Sequence, residues 1–232
     1  MDKTRRGLNA QEIKIIACIT MVCSHFGLIF PLSTALEHNL LQGVGRLAMP
    51  LFAFMIANGY RHTYHKMHYL ARLIVFAVVI QYPYSIFLAN PFLNICFMLC
   101  LGLISIMAWE SNLSMTGKVL ALLSLGILAE LLNTEYGFYG ILMVFTANMF
   151  FDYKQHLAMA WVVINLPYMA RGFLQLLNGE PYPYLQGLCV LALPLLYFYN
   201  GERGNGSRWG FYIFYIGHLA VLYYSRRLIL GF

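Results

Sequence analysis

Charge is what this sequence has least of. Only 10% of its 232 residues are charged while 60% are hydrophobic, against a charged fraction of roughly 25% in ordinary soluble domains. That shortage excludes the soluble globular classes and leaves a membrane protein. Long polar stretches are missing as well, so no sizeable soluble domain fits, and the chemistry has to lie within the membrane or in short loops. Cysteine motifs are absent: Cys18, Cys23, Cys96, Cys100 and Cys189 sit inside apolar runs with no C-x-x-C spacing, and they read as small apolar fillers with no disulfide or metal. A basic stripe is absent too. The net charge of +6 is scattered in small groups, which excludes nucleic acid as a partner. No low-complexity segment or internal repeat is visible. The basic start MDKTRR is followed by a long apolar run with no small-residue cleavage site, so that run is expected to be the first spanning helix and not a removed signal.

What is there is a series of apolar runs. Each is near the length of about 20 residues that crosses a bilayer as a helix. They predict an all-α polytopic bundle, one transmembrane domain over residues 1–232, with about nine helices and a range of eight to ten. The predicted helices are 12–32, 41–60, 68–89, 93–110, 117–133, 137–152, 156–176, 184–200 and 209–229. The stretch RGFLQLLNGEPYP at 171–183 leaves room for a re-entrant piece or a tenth helix. A cytoplasmic N-terminus puts Lys3, Arg5, Arg6, Lys14, Arg61, Lys66, Arg72, Lys118, Lys154, Arg203 and Arg208 toward the inner side, and only Arg46, Arg171, Arg226 and Arg227 toward the outer. Eleven against four supports that orientation. The loops RHTYHKMH and NGERGNGSR then form a basic inner mouth, and the first of them reads either as a positive-inside loop or as a phosphate site. Tyr60, Tyr64, Tyr82 and Tyr84 fall where interfacial aromatic belts are expected.

Ionisable groups inside a spanning segment are costly and mark sites or pathways. In KIIACITMVCSHFG, Lys14 and His25 are eleven residues apart, about three turns plus 20° and about 16 Å of rise. They therefore share a helix face. Arg46, in LLQGVGRLAMPLFAF, is expected roughly 9 Å below the outer surface, at the depth of His25. A guanidinium beside an imidazole at one level can hold a carboxylate, a phosphate or the oxyanion of acyl transfer. Gln81, Asn94 and Glu130 enter the same outer half, and His218 lies nearer the middle of the last helix, roughly 14 Å in. Together they outline a polar cavity opening outward, around which Pro50 and Pro83 bend their helices. Read without chemistry, His25 and His218 are interhelical hydrogen-bonding groups, and Lys14 and Arg46 snorkel to the headgroups.

Six stretches, LNAQEIKIIACITMVCSHFG, GRLAMPLFAFMIANGYRHT, YLARLIVFAVVIQYPYSIF, LNICFMLCLGL, EYGFYGILMV and FYIFYIGHLAVLY, resemble the TraX family of bacterial inner-membrane proteins, named for the conjugation protein that acetylates the N-terminus of pilin. They span most of the chain in the family's order. The resemblance implies acyl transfer, and the family is similar to multi-spanning acyltransferases that carry a basic residue and a histidine eleven apart on their first helix, here Lys14 and His25. Its arginine falls on Arg46, its Gly-Tyr on Gly59 and Tyr60, its glutamine and proline on Gln81 and Pro83, and its C-terminal histidine on His218. Two positions depart from the family pattern. Ser24 stands where an acidic residue precedes the first histidine, and Ile216 where a proline precedes the last. Without that carboxylate, the base role of His25 calls on Glu130, Glu135 or water.

The resemblance thus implies a membrane acyltransferase of the bacterial inner membrane that uses acetyl-CoA or another acyl-CoA and needs no metal. Lys14, Arg61, Lys66 and Arg72 would hold the CoA phosphates on the cytoplasmic side. His25 would be the base or acyl carrier and Arg46 the oxyanion partner, with Gln81, Glu130 and His218 as further proton or oxyanion partners. Tyr60 and Asn94 would line the cavity of a peptide or sugar acceptor such as pilin. Two rival classes stay open at this point: a proton-coupled transporter, disfavoured by the missing inverted repeats, and a non-catalytic membrane component of conjugation or surface-fibre assembly.

Overall fold

The computed structural model describes residues 7–206 and 210–231. Among them every extended element is helical: α1 (Ala10–Ile29), α2 (Ala35–Gly45), α3 (Ala48–Arg61), α4 (Lys66–Leu88), α5 (Ile95–Trp109), α6 (Met115–Leu131), α7 (Gly137–Met149), α8 (Lys154–Leu177), α9 (Leu193–Tyr197) and α10 (Gly210–Leu230), with a 3-10 segment, Gln186–Ala192, leading into α9. Lys3, Arg5, Arg6 and Arg208, which entered the count of inner-side charges, lie outside the described residues, as does residue 209 at the start of the last expected helix.

Local chemistry explains where these helices begin. Asn9 caps α1 by accepting from the backbone N–H of Gln11 and Glu12, and its own N–H donates to the Glu12 carboxylate at 2.8 Å, a reciprocal capping box. The same device, Thr34 with Glu37, starts α2 six residues earlier than hydropathy alone predicts. What was expected as one helix from 41 is an α2–α3 rod of 27 residues, Ala35–Arg61, turned at Arg46 and Leu47. Arg46 therefore caps the C-terminal end of α2 at a turn within the rod. Pro50 falls in the first turn of α3, where the absent N–H costs little. Asn94 caps α5 and Ser114 caps α6.

Among the described residues four helices are long and apolar enough to cross a membrane: α1, the α2–α3 rod, α4 and α8. The helices α5 and α7 have 15 and 13 residues, about 20 to 23 Å at 1.5 Å per residue, short of the ~30 Å hydrocarbon core. The helix expected at 184–200 is instead a broken element, 3-10 then one α turn. At Gly187 a Cβ would stand 2.4 Å from Met169 Cγ, so backbone and helix α8 meet too closely there for a regular helix with side chains. α8 itself runs on to Leu177 through Pro167, and the ambiguous stretch ends in a turn with Gly179 at φ +74°.

The chain divides into two compact units, one of Met1–Phe52 with Trp161–Phe232 and one of Ala53–Ala160. In the first, α1 packs on α2 and on α10. The α1–α2 contact is made by small residues: a Cβ on Gly45 would stand 2.4 Å from Ser24 Cβ, and one on Gly27 3.2 Å from Gln42 Nε2. The second unit is built around α5 and α7, whose Gly102 and Gly140 admit Val144 and Met98. Large apolar side chains such as Ile19, Val75, Val79, Leu120, Ile127, Val163 and Leu166 are exposed on the long helices and on α6, as a lipid-facing surface requires. Of the four belt tyrosines, Tyr64 and Tyr82 are exposed at 93% and 77%, but Tyr60 and Tyr84 are buried. Each buried phenol finds a carboxylate, Glu110 and Glu135 respectively, as a buried hydroxyl must. None of the five cysteines forms a disulfide; Cys96, Cys100 and Cys189 are buried, and the Cys189 thiol donates to Asn165 Oδ1 at 3.1 Å.

The Gly45 contact makes a prediction. Gly45→Ala should overpack the α1–α2 contact and destabilise the fold by about 1–3 kcal/mol, read as a lower unfolding temperature in detergent. Gly217→Ala, where a Cβ would meet nothing within 4 Å, should not lower it.

Candidate functional site

In the first unit the α1–α2 contact fixes a polar cluster. The Ser24 hydroxyl donates to Gln42 Oε1 at 3.1 Å, and Gln42 Nε2 donates to the Ser24 carbonyl at 3.0 Å. Ser24 thus serves helix packing where a carboxylate would have served His25. Gly45 lies against Ser24, so Arg46 and His25 each follow directly on this contact in their own helices.

His25 reaches α10. Its Nδ1 lies 2.8 Å from Nε2 of His218, with the two ring planes 9° apart. His218 Nδ1 lies 3.0 Å from the carbonyl of Phe214, one turn back. The Phe214 ring stacks on His218 and Tyr215 meets it edge-on. Both histidines are buried at 8% exposure, and Nε2 of His25 makes no hydrogen bond among the described residues. The expected difference in depth between His25 and His218 is therefore corrected: a depth counted from one helix's own end ignores how its neighbour is offset.

Arg46 Nη1 donates to Gln186 Oε1 at 3.2 Å, with Gln186 almost fully buried. Arg46 Nε is the one buried side-chain polar atom without a hydrogen-bond partner among the described residues. An unsatisfied guanidinium nitrogen is a standing cost and a ready donor for an anionic group. Gln42 and Gln186 were not singled out in the sequence; an amide four residues before an intramembrane arginine is the signal that pointed to the first.

Lys14 lies on α1 at the end away from His25. The segment 198–204 folds back over that end, through Leu8 N–H to Phe198 O and Ala10 N–H to Glu202 O, both 2.8 Å. It brings Arg203 within electrostatic reach of Lys14. Neither cation has a carboxylate at ion-pair distance among the described residues.

The other expected site residues belong to the second unit, where the structure gives most of them partners of their own. Gln81 Oε1 accepts from the N–H and Nδ2 of Asn94 at 2.9 and 2.8 Å, and its Nε2 donates to Ser85 and Phe92. Asn94 also donates to Ala77 O. This pair ties α4 to the start of α5, and its hydrogen bonds occupy both side-chain amides. Glu130 Oε1 accepts from Phe138 N–H at 2.7 Å, holding the N-terminal turn of α7 as a carboxylate does. Glu135 is taken up by Tyr84.

Arg61 and Lys66 are likewise engaged. Arg61 pairs with Asp152, donates to Asn148 and lies over the Phe151 ring; Lys66 stands 3.4 Å from Glu110 and 3.8 Å above the ring of Tyr60. Asn148 joins the halves by donating to Glu110 at 3.1 Å. Both cations thus have carboxylate partners, in pairs that are partly exposed. Arg72 is exposed beside Tyr69. No group of three or more His, Cys, Asp or Glu that could hold a metal occurs among the described residues.

Burial works against the Glu110 carboxylate, but the hydrogen bonds from Tyr60 and Asn148 and the Lys66 ammonium outweigh it and hold its carboxyl below the usual range. A depressed folded value means stability that is full above the carboxylate range and lost as pH falls through it. Glu110→Gln should therefore lower the unfolding temperature at neutral pH and flatten its decline between about pH 5 and pH 3. An unchanged acid limb would show the network to be idle.

These features define a class: a helical protein with membrane-length apolar helices, a buried histidine pair and a half-satisfied arginine in one unit. The chain belongs to the TraX protein family, whose model matches residues 9–226. It is similar, at 29% identity over 236 residues covering 92% of this chain and 94% of the relative, to the probable fimbrial assembly protein FimC, serogroup H1, of Dichelobacter nodosus. No solved structure matches it.

Proposed function

We infer that the chain is an acyltransferase embedded in the bacterial inner membrane with its N-terminus in the cytoplasm, and that it takes part in pilus- or conjugation-related processing. Acetyl-CoA or another acyl-CoA is the donor; the acceptor is an amine or hydroxyl at the outer side, such as a pilin N-terminus or a sugar. The observation that carries this reading is that the close Ser24–Gly45 contact is followed directly by the buried His25, with one ring nitrogen uncommitted, on one helix and by Arg46, whose Nε has no partner, on the other. Family membership and the fimbrial relative support the process.

In this reading His25 takes the acceptor's proton as the acceptor attacks the thioester carbonyl, and Arg46 stabilises the oxyanion. The acyl C–S bond then breaks and CoA leaves as the thiol. With Arg61 and Lys66 occupied by carboxylates, the donor phosphates fall to Lys14 and Arg203. Lys14 is about 16 Å along α1 from His25, a distance for the pantetheine arm to cover. No metal takes part.

The test is turnover in proteoliposomes with labelled acetyl-CoA, scoring CoA release and label on a pilin N-terminal peptide. His25→Ala is expected to lower turnover about 10²- to 10⁴-fold and Arg46→Ala about 10²- to 10³-fold, with helical content unchanged. Lys14→Ala should weaken CoA binding more than it slows transfer. Folded His25 and Arg46 variants that turn over like wild type would overturn the mechanism. Wild-type protein that transfers nothing to any acceptor would leave the non-catalytic assembly role.

A further inference from the structure

Hydrogen-bond chemistry fixes the protons of the histidine pair. A backbone carbonyl only accepts, so the 3.0 Å contact with Phe214 O puts a proton on Nδ1 of His218. No carboxylate hydrogen-bonds to either ring among the described residues, and a buried imidazolium without one is costly, so both rings rest neutral. The other nitrogen of His218, Nε2, is then a bare acceptor. The 2.8 Å contact must be a hydrogen bond donated by Nδ1–H of His25. That leaves the lone pair of His25 on Nε2, the nitrogen with no hydrogen bond among the described residues.

We propose that His218 is the positioning residue of His25: it holds the His25 ring as the Nδ1–H tautomer and so presents Nε2 as the base. The proposal rests on the acyl-transfer reading for its use, though not for its geometry. His218 fills the place that a buried carboxylate holds in acid–histidine–nucleophile arrangements. As the acceptor N or O bonds to the acyl carbon, its proton passes to Nε2 of His25. When the tetrahedral adduct collapses, the C–S bond breaks and the same proton goes from Nε2 to the CoA sulfur. Throughout, Nδ1–H remains hydrogen-bonded to His218, and the transient charge on His25 is shared along the chain of His218 and the Phe214 carbonyl. His218 touches no reacting atom.

The tautomer is directly measurable. In detergent-solubilised protein labelled with ¹⁵N-histidine, with the His25 signals identified by their loss in His25→Gln, wild-type His25 is expected to be protonated at Nδ1 and unprotonated at Nε2. His218→Leu removes the acceptor and should move His25 toward the Nε2–H tautomer, with transfer falling about 10²-fold. His218→Gln offers an amide oxygen near the lost Nε2 and should restore both the tautomer and transfer to within about tenfold of wild type. A wild-type His25 that carries its proton on Nε2 overturns the proposal whatever the variants do. So does a His218→Leu protein with unchanged tautomer. Should the tautomer behave as stated while His25→Ala leaves transfer intact, the acyl-transfer reading fails and the positioning geometry stands.

Discussion

Inside lipid, helices gain little from excluding one another's apolar side chains from the surroundings, so close packing of small residues and interhelical hydrogen bonds must hold them together. The contact of α1 with α2 is made that way. Gly27 and Gly45 let the backbones approach, and Ser24 and Gln42 exchange hydrogen bonds across the gap. His25 and Arg46 each follow directly on that contact. The capping box at Asn9 and the returning 198–204 segment fix the other end of α1, and the distance along this one helix separates Lys14 from His25.

The two units solve their polar burial differently. In Ala53–Ala160, buried or half-buried polar groups close on one another: Gln81 with Asn94, Glu130 with the α7 turn, Arg61 and Lys66 with Asp152 and Glu110. Such satisfied networks stabilise and specify a fold. In the unit formed by the chain ends, Arg46 Nε is buried without a partner and His25 Nε2 makes no hydrogen bond among the described residues. A fold that satisfies nearly every other polar atom has left open a donor and an acceptor that acyl transfer uses, one for an oxyanion and one for a proton.

Much of the fold was legible in the sequence because apolar runs in lipid have few alternatives to helix. His25 and Arg46 themselves were legible as ionisable groups inside apolar runs. The early start of α2 was legible too, in the T-x-x-E at 34–37, but polarity hid it from a hydropathy reading. Other features had no local signal. Lys66 meets a carboxylate 44 residues away and Arg61 one 91 residues away, so a run that looked like a phosphate site is half of a neutral network. Gln81 and Asn94 looked like cavity residues because an amide in an apolar run signals a partner without saying which. The acceptor for the His218 ring is a backbone carbonyl, which no residue type announces.

If the activity is acyl transfer, His25 and His218 act in it as one unit. A double-mutant cycle on turnover measures that coupling most directly. If the claim holds, His25→Ala combined with His218→Leu will be no slower than His25→Ala alone, because without the base there is nothing left to position. Losses that multiply, each variant lowering the rate by its own factor in the presence of the other, would contradict it.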